Sequence, residues 1–152
     1  MTESSALLLP FTAASVSEAR QNLVSDLIEA GIRGSALTDA ALVVSELLSN
    51  ALQHGQPLPG GAVRAAWDLD DRTLRVSVSD GGGSSRPHLG QPTPTTTGGR
   101  GLRIVALLSR QWGASCGHDG TTVWAEVQLV PQPAVAVPAA AAETGLAGAA
   151  VV

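Results

Sequence analysis

Between Leu37 and Gly55 the apolar residues return at three- and four-residue intervals, and this periodicity constrains the chain more than any other stretch. Stepping 100° per residue, Leu37, Ala40, Ala41, Val44, Leu47, Leu48 and Ala51 form one broad apolar face, wide enough to fix a helix against a core. Glu46 lies on the opposite side, with Asp39, Asn50 and Gln53 within about 40° of it and His54 about 80° away. Such a polar stripe is ordinarily wet. Leu42 and Val43, one turn earlier, fall on the same side, which a purely solvated stripe does not need. The carboxylate and amide are therefore candidates for chemistry.

The flanking segments supply the partners for that helix. Ala6 to Phe11 is an apolar run closed by Pro10 and reads as a first strand at a sheet edge. Ser15 or Ser17 caps a helix over about 16–30, carried by Ala19, Leu23, Leu27 and Ile28 and stopped by Gly31. Ser35 or Thr38 opens the long helix, and Gly55 is expected to end it as a left-handed cap. After the Pro/Gly connection 56–61, residues 62–69 and 73–80 alternate as two strands around an Asp70-Asp71 turn. Leu74, Val76 and Val78 point one way and Thr73, Arg75, Ser77 and Ser79 the other, so helices should cover a single face of the sheet.

From Gly81 to Gly98 the chain has almost nothing to bury, and a loop of this length inside a compact domain reads as a lid. Gly98-Gly99-Arg100-Gly101 leads into Leu102, Ile104, Val105, Leu107 and Leu108, a third helix ending near Arg110. Residues 111–116 and 120–130 form a final strand pair around His118-Asp119-Gly120. The Ala/Pro/Val-rich segment 131–152 has one charge, Glu143, and no period, and is expected to be a disordered tail. These elements predict an α+β domain over 1–130. Its form is a two-layer α/β sandwich with a mixed, mostly antiparallel sheet and about three helices on one face.

Composition removes several functions. All nine cations are arginine, against 13 acidic residues, for a net charge of −4. No basic footprint favours nucleic acid or an anionic membrane, and the absence of lysine excludes a Walker P-loop and Schiff-base chemistry. Cys116 is the only cysteine, so disulfide frameworks and thiolate zinc sites are out, and its expected role is a half-buried filler. No apolar run approaches the roughly 18 residues of a membrane span, which points to a cytoplasmic protein.

Three places remain where ligand chemistry could sit. The 98–101 glycine segment presents unpaired amides and the positive end of a helix dipole, an arrangement that suits phosphate. Asp80 ends a strand before Gly81-Gly82-Gly83, where its carboxylate can face a cleft while the glycines admit a planar ligand. Glu46 and Asn50 share one helix face. His54, His88 and His118 have no metal-like spacing, and no Ser/His/Asp triad stands out.

In order along the chain, Glu46-xxx-Asn50, Asp80-Gly-Gly-Gly, a long loop, Gly99-Arg100-Gly101-Leu102 and Gly120-Thr121-Thr122-Val123-Trp124 resemble the boxes of the GHKL, or Bergerat-type, ATP-binding fold. More narrowly, the chain resembles the anti-sigma-factor serine/threonine kinases of the RsbW and SpoIIAB kind, over roughly residues 7–130. The resemblance implies ATP and Mg²⁺ as cofactors, Asn50 as the Mg²⁺ ligand and Glu46 as general base on the attacking hydroxyl. It further implies that Asp80 accepts from the adenine amino group, Gly82 shapes that pocket and His54 lies at the ATP site. Gly99, Arg100, Gly101 and Leu102 would close over the phosphates, and Thr122 would support the adenine end.

The implied partners are a STAS-type antagonist, which would be phosphorylated in a partner-switching system, and a sigma factor; a homodimer is also favoured. The chain departs from the pattern at Thr121, where relatives often carry lysine, and at Ser84, in the place of a second glycine. These departures motivate the alternative, a non-catalytic binding module whose grip on a partner depends on ATP.

Overall fold

The structure, a computed structural model, describes residues 2–82 and 97–129, with only the backbone described for 97–101. Eight elements follow one another: β1 (Glu3–Pro10), α1 (Ala14–Glu29), α2 (Ser35–His54), β2 (Ala62–Leu69), β3 (Thr73–Asp80), α3 (Thr97–Leu108), β4 (Gln111–Gly117) and β5 (Gly120–Gln128). Most of the expected lid and the whole expected tail, with Gly83, Ser84 and His88, lie outside the described residues.

The strands make one sheet in the order β1-β2-β3-β5-β4, antiparallel at every pairing. The expected mixed, mostly antiparallel sheet is thus antiparallel throughout the described residues, and β1 takes the edge position that Pro10 suggested. Three helices cover one face, α1 over β1, α2 over β2, β3 and β5, and α3 beside β4. The result is the α+β sandwich expected of a Bergerat-type fold.

Strand alternation decides what each face carries. On the helix side Val63, Ala65 and Trp67 of β2, Leu74, Val76 and Val78 of β3, and Val123, Ala125 and Val127 of β5 are buried. They meet Leu23 and Leu27 of α1 and Val43, Val44, Leu47 and Leu48 of α2, all fully buried in one cluster. The other face is polar. There Arg75 pairs with Glu126 at 2.9 Å and stacks over the Trp124 ring at 4.0 Å. Gly113, opposite Trp124, leaves room for the indole, since a Cβ there would come within 2.9 Å of it.

Polar anchors set the helices on the sheet. Asp26 of α1 accepts from the Trp67 indole N–H at 2.9 Å and from the Ser5 hydroxyl at 2.8 Å, joining α1 to β1 and β2. Ser15 does not cap α1, and neither does Ser17. The Ser15 hydroxyl donates to the Pro10 carbonyl at 2.5 Å, tying the end of β1 to the helix start. At the other end of α1, Ile32 N–H donates to Leu27 O and Gly31 N–H to Ile28 O, a Schellman closure with Gly31 at φ +90°. Cys116, expected to be half-buried, is exposed because β4 is an edge strand.

Candidate functional site

Helix α2 and strand β3 converge at their C-terminal ends, and the polar candidates gather there. The chain leaves α2 through Gly55 in an extended conformation, φ −96° and ψ −174°, rather than as the expected left-handed cap. Asp80, the last residue of β3, explains why glycine is nevertheless required. A Cβ on Gly55 would fall 2.5 Å from both Cγ and Oδ2 of the Asp80 carboxyl.

Two more segments close on the backbone around Asp80 and Gly81. Gly81 N–H donates to Gln56 O at 2.6 Å, and a Cβ on Gly81 would strike the Pro57 carbonyl. Gly120 opens β5 so close to Asp80 that a Cβ would overlap the Asp80 carbonyl oxygen. Gly82, at φ +95°, turns its N–H back onto Asp80 Oδ1 at 2.6 Å. Backbone without side chains therefore closes around Asp80, a residue only 6% exposed, with Gly55 and the Gly82 N–H at its carboxyl. Loss of solvation raises the pKa of Asp80 above the ordinary carboxylate value, with the Gly82 N–H pulling in the opposite direction.

Register assigns the two threonines of β5 to opposite faces. Thr121 pairs with Asp80 and so shares its helix-side face. Thr122 pairs with Ser79, and their hydroxyls hydrogen-bond at 2.7 Å on the polar face. Thr122, expected at the adenine end, thus lies on the face opposite the Asp80 side chain, and Thr121 is the threonine paired with Asp80.

Upstream on α2, Asn50 and Glu46 are half-buried and stand about 7 Å and about 13 Å along the helix axis from Gly55. The apolar wall expected beside them divides. Val43, on the Asn50 side of the stripe, is fully buried, whereas Leu42, on the outer side, is 39% exposed. His54 and Gln53 are exposed and Asp39 is half-buried.

Helix α3 begins at Thr97, so Gly98 to Gly101 lie within its first turns and not in a turn before it. Amides 97–100 are the ones without intrahelical acceptors. Gly99, Arg100 and Gly101 are placed there by the backbone. Leu102 is buried in the core with Val105, so any phosphate contact at this residue would come from its backbone.

Residues 9–127 match the model of the histidine kinase-like ATPase domain. The chain belongs to that family. Among solved structures, it is similar in fold to one containing the RsbU and RsbW domains of Rv1364c from Mycobacterium tuberculosis. That match has a TM-score of 0.65 and 24% identity, and it covers 84% of this chain and 32% of that one. A second likeness is to the histidine kinase domain of a blue-light activated histidine kinase from Erythrobacter litoralis EL346, with a TM-score of 0.48 and 24% identity over 75% of this chain and 61% of that one. The chain thus spans about a third of the Rv1364c chain. No curated protein matches it.

A histidine kinase-like ATPase domain implies an ATP site, and the donor set around Asp80 fits one. A desolvated carboxylate is an acceptor for an exocyclic amino group, and backbone without side chains lets a planar base approach closely. Among the described residues no group of three or more His, Cys, Asp or Glu could hold a metal ion. A cation here would draw its ligands from phosphate, water and a single amide oxygen, which is how Mg²⁺ is commonly held. No described helix is long and apolar enough to cross a membrane.

Proposed function

We propose that this domain is a Mg-ATP-dependent serine/threonine protein kinase of the anti-sigma-factor type, acting on a STAS-type antagonist. The observation that carries the proposal is the close approach of Gly55 to the Asp80 carboxyl, which brings the end of the helix that carries Asn50 and Glu46 against Asp80. A nucleotide anchored at Asp80 would extend along α2 past Asn50 toward Glu46. Its phosphates would face the free amides at the start of α3.

In this reading Asp80 accepts from the adenine amino group, and Thr121 stands on the same face beside it. Asn50 offers its amide oxygen to Mg²⁺, which when bound supplies charge neutralisation on the phosphates. Glu46 takes the proton from the attacking hydroxyl, as a bond forms between that oxygen and the γ-phosphorus and the bond to the β-phosphate oxygen breaks. ADP is the leaving group. Gly99, Arg100 and Gly101 close on the phosphates. Such chemistry requires positioning and charge stabilisation more than covalent participation by the protein, so it does not require lysine.

Calorimetry of Mg-ATP with wild type and Asn50→Ala tests the nucleotide site, and absence of wild-type binding overturns the proposal. Transfer of labelled γ-phosphate to a STAS-type antagonist tests the kinase, with Glu46→Gln expected to lose transfer and keep ATP binding. If partner retention depends on ATP but no transfer occurs, the non-catalytic module is the correct reading.

A further inference from the structure

Gly55, Gln56 and Pro57 separate the end of α2 at His54 from Leu58, whose N–H is fixed to the start of β2 by a 2.7 Å bond to Ala62 O. All three are held. Gly55 N–H donates to Ala51 O at 2.8 Å, Gln56 O accepts from Gly81 N–H at 2.6 Å, and the Pro57 carbonyl lies against Gly81. The connector is also stiff in itself. A proline ring fixes its own φ and disfavours helical backbone at the residue before it.

Gly81 is the stop on which this connector rests. A Cβ there would overlap the Pro57 carbonyl oxygen and come within 3.0 Å of the Pro57 carbonyl carbon and 3.2 Å of Gln56 O. All three atoms are backbone, so none can swing aside as the end of a side chain would. The conformation of Gly81 is no obstacle to alanine, because its φ, unlike that of Gly82, is not positive.

A methyl group at Gly81 therefore forces the connector back by about 1 Å before ordinary contact is restored. Leu58 is pinned to β2, so the displacement passes to Gly55 and the last turn of α2. A helix moves as a unit, and Asn50 is only about 7 Å further along it. Asp80 is held independently, by its pairing with Thr121 in the β3–β5 ladder.

We infer that Gly81 is a positioning residue for the phosphate end of the nucleotide, acting through Gln56, Pro57 and α2 to set the separation of Asn50 from Asp80. The inference rests on the proposed nucleotide site. There the base needs only the ends of β3 and β5, whereas the Mg²⁺-bound phosphates need Asn50 at a fixed reach from the base. A misplacement of about 1 Å costs a positioned group up to about a hundredfold.

The test compares adenosine, which carries no phosphate, with Mg-ATP on the full chain, by NMR titration and calorimetry. Gly81→Ala should bind adenosine within about twofold of wild type and Mg-ATP roughly ten- to a hundredfold more weakly. In the nucleotide-free variant the Asn50 side-chain amide signals should move. Pro57→Gly adds no atom but frees the connector, and it should show the same split at about three- to fivefold, which keeps the test decisive if Gly81→Ala does not fold. Gly117→Ala, where a Cβ meets nothing within 4 Å, should change neither affinity.

Equal loss of both ligands, no loss of either, or unmoved Asn50 signals overturns the inference and leaves the nucleotide site standing. Wild type that binds Mg-ATP but no adenosine also overturns it, since the base is then not held apart from the phosphates. Wild type that binds neither removes the nucleotide site and this inference together.

Discussion

The carboxyl of Asp80 occupies the space that a side chain at Gly55 would need, with Cγ and Oδ2 each 2.5 Å from a Cβ built on that glycine. This close approach, with the Gly81 N–H bond to Gln56 O, sets the end of α2 against the end of β3. It ties the helix carrying Glu46 and Asn50 to the strand carrying the candidate base-binding carboxylate. Gly55→Ala must push the two apart, since the neighbouring backbone of Ala51 also lies 2.8 Å from the added carbon. The expected outcome is a loss of about 1–3 kcal/mol of stability, as for other overpacked sites. ATP affinity should fall further than that of a surface glycine variant such as Gly60→Ala. Chemical denaturation and calorimetry measure the two effects separately.

Asp80 itself should trade stability against binding. Desolvation raises its pKa, so the folded state holds the Asp80 proton more tightly than the unfolded chain does. This contribution to stability is full below the unfolded value near 3.8 and is lost as pH rises through the raised folded value. Ionised Asp80 is therefore a cost that the fold carries at neutral pH. Asp80→Asn keeps an acceptor for the Gly82 N–H and should leave neutral-pH stability equal to wild type or higher, while ATP binding is lost. Wild-type ATP affinity should weaken on acidification, as the carboxylate acceptor becomes protonated. Melting temperatures and titrations across the acidic range check both signs.

Local order was legible where one residue type dominates a period. The α2 apolar face, the 62–69 and 73–80 strands and the single covered face of the sheet follow from spacing alone. Features set by meetings between distant segments were not. Gly55 has the composition of a helix cap, and only the approach of Asp80, 25 residues later, gives its real reason. Thr121 and Thr122 are equivalent until the β3–β5 register places one beside Asp80 and the other beside Ser79. Gly120 reads as a turn residue in the sequence, although its closest neighbour is the Asp80 carbonyl.

The 70–72 turn carries a second pH signal, of opposite sign. Asp70 Oδ1 accepts from Arg72 N–H at 2.9 Å and Thr73 N–H at 2.8 Å, and these bonds lower its pKa. A depressed carboxylate stabilises the fold above its unfolded value, and the contribution disappears as pH falls through the folded one. Asp70→Ala should reduce stability at neutral pH and make no difference in strong acid. Denaturant midpoints of the two proteins should therefore converge as pH drops, whereas parallel curves would show that the turn bonds contribute nothing.

Asp26 is the anchor whose removal should matter most to the helix layer. It receives the Trp67 indole N–H and the Ser5 hydroxyl, so one carboxylate on α1 joins the helix to two strands. Hydrogen bonds to a charged acceptor contribute about 1.5–3 kcal/mol each, and a donor left buried without a partner adds a desolvation cost. Trp67 is 2% exposed, so its N–H has little access to water once Asp26 is gone. Asp26→Ala should lower stability by about 2–4 kcal/mol. Trp67→Phe should cost less through this bond, because it removes the donor together with its need for a partner. A double-mutant cycle between the two should give a coupling of about 1 kcal/mol or more. Additive effects would mean that the indole and the carboxylate stabilise the fold independently and that packing alone holds α1 to the sheet.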